Sequence, residues 1–445
     1  MDRQLMVAFA VASVVMLLIV LQSKLNETRF LKVAVVARKR EFDLNDDKWM
    51  EQLGMVSYED DGSSEKDFVD KLPGQQEVVD FGQYSGYVNV DEAHGREVFY
   101  YFVEASHPRP DTKPLVLWLT DVPGCSALGN GAMTEHGPFG VQADGKTLFL
   151  RQHAWNKVAN MIYLESPAGV GFSYSNTTSD YKGVGDLRTA LDSYTFLVKW
   201  MKRFPKYQKN EFFIMGEYYA GFYVPELADV ILYYNIHAEI NINLKGIMVW
   251  LRLVWGRMGR IVYTIKKTEK EMGSLNLYNR YSEDSSRSEN RHNLRYLNLL
   301  EVKQALHVKK ARLPSVWHPC SSLFKVWGES PPSLFPVYRR LISARLRIFL
   351  YSGDWDVVVP VTSTLNSIKA MNLTLKSQWH PWLDDTKKIA GHRVDYEEGV
   401  TFATVLGAGH EVPKFQPRKA FSLAKMFLEG MQSLPDTLFC LFVLQ

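Results

Sequence analysis

The stretch Glu211-Phe212-Phe213-Ile214-Met215-Gly216-Glu217-Tyr218-Tyr219-Ala220-Gly221-Phe222-Tyr223-Val224-Pro225 reads as an apolar strand, a tight turn and the start of a helix. Small residues at both ends of the turn let a strand reverse sharply into a helix and lift one side chain above the sheet. That is the layout of a nucleophile elbow. The lifted side chain here is Tyr218.

Outward from this turn, short apolar runs at residues 114–119, 161–164, 244–249 and 347–351 recur between helical patterns such as 186–204 and 223–235. Strands alternating with helices predict a mostly parallel sheet covered on both faces, a doubly wound α/β fold. Such a sheet places ligands beyond the carboxyl ends of its strands. Upstream, residues 84–90 alternate like a half-buried strand, and 98–103 are its expected hairpin partner.

Composition sets the outer bounds. The chain has 445 residues, 46% hydrophobic and 23% charged, an ordinary globular balance. A formal net charge of +3 and the lack of a basic run interleaved with aromatics give no nucleic-acid footprint. Residues 5–21 are apolar except for Ser13, with Arg3 before and Lys24 after, so residues 1–23 read as a secretory signal peptide. The run approaches the ~20 residues that span a bilayer, which leaves an uncleaved signal anchor as the alternative and membrane association conditional on it. Sequons at Asn26, Asn176 and Asn372 agree with the secretory route, extracellular or vacuolar. Residues 24–71 are charged and poor in aromatics, and are expected to be a flexible propeptide-like region. The pattern fails from 250 to about 293, where residues 282–293 are expected to form an exposed polar loop. The apolar tail 438–445, with Cys440, is too short to span a membrane.

Several blocks carry a family likeness, in order along the chain: Trp155-Asn156-Lys157-Val158-Ala159-Asn160, Ser166-Pro167-Ala168-Gly169-Val170-Gly171-Phe172-Ser173-Tyr174, the elbow, Ser352-Gly353-Asp354-Trp355-Asp356-Val357, and Gly407-Ala408-Gly409-His410-Glu411-Val412-Pro413. With them the chain resembles the serine carboxypeptidases from about Leu72 to Pro435. The resemblance implies an α/β-hydrolase fold with core segments at 72–249 and 301–437, a degenerate or truncated cap insertion at 250–300, and hydrolytic release of C-terminal residues from peptides. It implies no cofactor and no metal. A peptide or acyl ester is the implied ligand, and oligomeric state is left open.

Residue by residue, the resemblance puts Tyr218 where the family keeps its serine, in Gly-Glu-Ser-Tyr-Ala-Gly. It gives Asp356 the role of holding an imidazole and His410 that of general base. Oxyanion donors in the family are two backbone N–H groups, here those of Tyr219 and Val122. The second lies in a turn that reads Thr120-Asp121-Val122-Pro123-Gly124-Cys125-Ser126 where the family has Asn-Gly-Gly-Pro-Gly-Cys-Ser. Asp and β-branched Val replace glycines there, and Asp121 adds negative charge where negative charge must develop. Carboxylate recognition in the family uses an asparagine, here Thr120, and two glutamic acids that match Glu135 and Glu217. Cys125 and Cys320 match a family disulfide.

With its nucleophile, both turn glycines and most of its cap changed, the chain is expected to have lost or badly impaired hydrolysis. The alternatives are an active serine-type carboxypeptidase, an acyltransferase using sugar-ester donors, and a non-catalytic binding protein or decayed gene product.

Overall fold

The computed structural model describes residues 62–120, 123–236, 240–250, 279, 286–313, 315–324, 326–328 and 330–430, all within the unit Val56–Gln445. The N-terminal apolar run, residues 24–61, Asn26, Asp121, Val122, most of 251–285, and Cys440 with its tail lie outside the described residues.

Thirteen strands are described: β1 (Gln83–Asp91), β2 (Arg96–Val103), β3 (Leu115–Leu119), β4 (Phe139–Val141), β5 (Leu148–Leu150), β6 (Asn160–Glu165) and β7 (Tyr174–Ser175), then β8 (Phe212–Gly216), β9 (Leu244–Trp250), β10 (Arg347–Gly353), β11 (His380–Leu383), β12 (Ile389–Asp395) and β13 (Val400–Val405). One 11-stranded sheet runs β1-β2-β6-β3-β8-β9-β10-β13-β12-β11, with β7 against β2. From β6 to β13 every pairing is parallel, and the strands flanking this core are antiparallel.

Strand alternation assigns the two faces. Tyr101, Trp118, Phe213, Met215, Phe349 and Tyr351 share one core cluster, to which helix Pro417–Glu429 contributes Phe427, 5.2 Å from the Phe213 ring. Phe102, on the opposite face, packs 5.0 Å from Trp200 of helix Asp186–Arg203. Helices therefore cover both faces, and the central strands are buried throughout, as continuous apolar runs require. This is an α/β-hydrolase fold with a mostly parallel sheet.

Two expectations need correction. Residues 62–71, expected within a flexible leader, are anchored to the sheet. Asp67 accepts from Arg203 Nη1 at 2.7 Å and from the Tyr100 hydroxyl at 2.6 Å, and Val69 and Leu72 are buried. A low count of aromatics concealed this, because the anchor is one carboxylate meeting a buried guanidinium. The polar stretch expected as an exposed loop at 282–293 instead enters helix Ser286–Tyr296. Asn293 and Tyr296 of that helix are buried, and Tyr296 donates to the Pro73 carbonyl at 2.8 Å.

Candidate active site

The elbow follows β8. An added Cβ on Gly216 would lie 2.3 Å from the Leu119 carbonyl oxygen and 2.5 Å from Ala220 Cβ, so only glycine lets the chain turn here. Tyr218 takes the left-handed conformation, φ 55°, which a bulky side chain adopts at a cost of about 1–3 kcal/mol. Tight hydrogen bonds hold it there: Ala220 N to Glu217 O at 3.0 Å, Gly221 N to Tyr218 O at 3.0 Å and Phe222 N to Tyr219 O at 2.8 Å. Helix Ala220–Tyr234 starts at once, with Tyr219 as its N-cap. Its positive end thus faces the turn.

Two further turns meet the elbow. Gly353 ends β10, and a Cβ there would lie 2.2 Å from the Gly409 carbonyl oxygen, so the turns after β10 and β13 approach backbone to backbone. The approach brings His410 Nδ1 to 3.2 Å from both carboxylate oxygens of Asp356. Asp356 is buried, and its Oδ1 also accepts from Val358 N at 2.8 Å and Val359 N at 3.2 Å. Asp354, the other aspartate in the turn, is spent on the backbone, accepting from Gly407 N at 2.6 Å. With Nδ1 held by Asp356, Nε2 lies across the ring from the carboxylate. The Tyr218 ring stands edge-on to His410, centroids 4.7 Å apart.

Glu135, Glu217 and Thr120 are all buried. Glu135 and Glu217 both act on Tyr351, whose hydroxyl donates to the Gly216 carbonyl at 3.4 Å. Burial first, then the charges of Glu217 and Glu135, push that hydroxyl well above its usual range. Glu217 belongs to the elbow itself, and both glutamates act on the Tyr351 hydroxyl that meets Gly216. Thr120 directly follows β3, its hydroxyl buried and, among the described residues, without a hydrogen-bond partner. Val122 is outside the described residues. The Tyr219 hydroxyl lies 3.2 Å from Asp186 Oδ2 and 3.1 Å from Ser330 Oγ, and Trp327 donates to Asp186 Oδ1 at 2.9 Å.

Cys125 and Cys320 form a disulfide across a sequence separation of 195 residues. Loops of that length lie where such bonds typically contribute about 2–5 kcal/mol. The bond ties the turn after β3 to the segment after residue 315. Asn176 and Asn372 are exposed, Asn372 at the left-handed end of helix Val361–Met371.

Three features had no signal in the sequence. Glu165 ends β6 fully buried and accepts from Ser126 Oγ, from Phe172 N at 2.6 Å and from Trp317 Nε1 at 3.1 Å. Arg151 and Asn293 grip the turn before Glu135. All three bring together residues far apart in the chain. Among the described residues no group of three or more His, Cys, Asp or Glu is placed to hold a metal ion, and no helix is long and apolar enough to cross a membrane.

A serine carboxypeptidase family model matches residues 73–251 and 258–430. Serine carboxypeptidase-like 40 of Arabidopsis thaliana is 42% identical over 433 residues, covering 85% of this chain and 85% of that protein. Serine carboxypeptidase 24 of the same plant is 38% identical over 435 residues, covering 83% of this chain and 93% of its own length. Among solved structures, Kex1(delta)p, a prohormone-processing carboxypeptidase from Saccharomyces cerevisiae, superposes with a TM-score of 0.70 at 20% identity. It covers 84% of this chain and 98% of its own, a likeness of fold. The family match over both core segments and the two plant relatives lead to one conclusion: this chain belongs to the serine carboxypeptidase family.

Proposed function

We propose that this protein is a secretory-pathway carboxypeptidase-like protein that holds the C-terminal carboxylate of a peptide and does not hydrolyse it at an appreciable rate. Membership of the family supports carboxypeptidase-like recognition. The observation that carries the loss of turnover is Tyr218 at the top of the elbow, its ring 4.7 Å from that of His410. A phenolic oxygen lies several ångströms farther from the backbone than a serine oxygen, and a misplacement of about 1 Å already costs about 10²-fold. The ring also takes up room beside His410 that a scissile carbonyl would need.

The carboxylate half of the reading rests on two buried glutamates, Glu217 in the elbow and Glu135, which both act on Tyr351. Paired carboxyls that cannot both ionise share a proton, and the protonated member donates to an incoming carboxylate under mildly acidic conditions. Asp356 and His410, though in contact, then face a phenol at the position where the family has an alkyl hydroxyl.

A fluorophosphonate probe, which reacts with activated hydroxyls, tests the reading together with calorimetric binding of a blocked dipeptide bearing a free C-terminus. The expected result is binding without labelling and without release of the C-terminal residue. Labelling accompanied by turnover that disappears in His410→Ala would overturn it in favour of an active hydrolase.

A further inference from the structure

The turn that delivers Glu135 is a π-helix, Leu128–Glu135, with wide bonds such as Ala132 N to Ala127 O at 3.0 Å and His136 N to Gly131 O at 3.0 Å. A π-turn is an uncommon conformation, encountered mostly as a single turn and frequently at functional sites. Its sequence, Leu-Gly-Asn-Gly-Ala-Met-Thr-Glu, contains two glycines and so has little helical preference of its own. Something outside the turn must hold it.

Two side chains from distant parts of the chain do so, both at Thr134, the residue before Glu135. Asn293, buried on helix Ser286–Tyr296, donates its Nδ2 to Thr134 Oγ1 at 2.7 Å and to the Gly129 carbonyl at 3.0 Å. Thr134 Oγ1 in turn donates to the Gly129 carbonyl at 2.9 Å, which closes a triangle across the turn. On the other side Arg151, just after β5, donates Nη2 to the Met133 carbonyl at 2.5 Å and the Thr134 carbonyl at 2.9 Å, and Nη1 to the Phe139 carbonyl. The last carbonyls of a helix lack partners within it, and here a guanidinium caps them. Packing leaves the turn no slack, since a Cβ on Gly129 would meet Trp317 at 2.6 Å and one on Gly131 would meet Trp118 at 2.5 Å.

We propose that Asn293 and Arg151 are positioning residues that set the π-turn, and through it the direction in which Glu135 presents its carboxyl to a ligand carboxylate. The proposal rests on the reading that Glu135 receives the peptide's C-terminus. It also gives a task to the segment that the sequence presents as degenerate. The helix retained after the irregular stretch supplies one of the two clamps, and Tyr296, one turn along, fastens that helix to Pro73. A hydrogen bond between two carboxyl groups tolerates little misalignment, and an offset of about 0.5 Å already weakens a preorganised site.

The test measures calorimetric affinity of the full-length protein, at mildly acidic pH, for N-benzoyl dipeptide with a free C-terminus and for the corresponding C-terminal amide. The ratio of the two affinities reports carboxylate recognition and is insensitive to a general loss of packing. Asn293→Ala should lower the acid-over-amide ratio about tenfold while amide affinity changes less than about twofold, and Asn293→Gln should restore part of the ratio. Thr134→Val removes the same hydrogen bond at constant shape and should act in the same direction, which covers an Asn293 variant that fails to fold. If Glu135→Gln abolishes the preference while Asn293→Ala and Thr134→Val keep the wild-type ratio, the positioning role is overturned and the binding reading stands. If the wild-type protein shows no preference for the acid, the binding reading itself falls. Positioning is then decided by the crystal structure of Asn293→Ala, where a Glu135 carboxyl within about 0.5 Å of its native place would overturn it.

Discussion

The proposed loss of hydrolysis rests on one side chain. Gly216, the left-handed φ of 55° and the immediate start of a helix are the features by which an elbow raises a reactive group, yet the group raised is a phenol. Restoring Tyr218→Ser should by itself recover little turnover, because Asp121 and Val122 still stand where the family has glycines. Tyr218→Ser with Asp121→Gly and Val122→Gly should recover measurably more. On the proposed reading the three positions serve one tetrahedral intermediate, so their effects should combine non-additively. Release of the C-terminal residue from a blocked dipeptide checks both variants. A single Tyr218→Ser variant as fast as the triple one would show that the oxyanion turn tolerates its substitutions.

At the level of elements, polar anchors decide where ordered structure begins and how the site turns are held. The segment preceding β1 owes its place to Asp67, which meets Arg203 of helix Asp186–Arg203 at 2.7 Å and the Tyr100 hydroxyl of β2 at 2.6 Å. The Arg203 guanidinium is nearly inaccessible, so Asp67→Ala would remove one partner of a buried ion pair, at a cost of about 3–5 kcal/mol. Urea unfolding at 25 °C should show a loss of that size, and a loss below about 1 kcal/mol would mean that water reaches Arg203 once the carboxylate is gone. Strand positions were legible in sequence because central parallel strands bury both faces and read as uninterrupted apolar runs. The anchors were not legible, since one aspartate among the many charges of residues 24–71 looks like any other until its partner, 136 residues away, is known.

Across the whole molecule, two acids that burial pushes up, Asp192 to about 6 and Glu165 further, make stability depend on pH. Glu165 joins β6 to the turn holding Ser126 and to Trp317, near the two ends of the disulfide. Burial pushes its carboxyl up to about 7 from 4.5, against the opposing hydrogen bonds from Ser126, Phe172 and Trp317. The folded protein therefore binds this proton more tightly than the unfolded chain does. The stabilisation is fully present below about pH 4.5 and is lost as pH rises to about 7. The melting temperature should fall by a few degrees across that window, and Glu165→Gln should reduce the slope, leaving the part that Asp192 contributes. A Glu165→Gln variant with the wild-type slope would assign the effect to other groups.

The sequence by itself determined the family, the alternation of strands and helices, and the turns that carry Tyr218, Asp356 and His410. Each of these depends on residues close together in the chain, whose spacing and glycines dictate local geometry. It also named the pairing of Cys125 with Cys320, by resemblance. Only the tertiary structure decided that Asp354 is taken up by the backbone of Gly407, that the Tyr218 ring stands against the imidazole, and that the helix after the irregular stretch clamps the turn of Glu135. Those facts depend on contacts between strands and helices distant in sequence. The physical reason is the same in each case: a hydrogen bond or a ring contact is set by where two backbones meet, and composition and periodicity do not record that meeting.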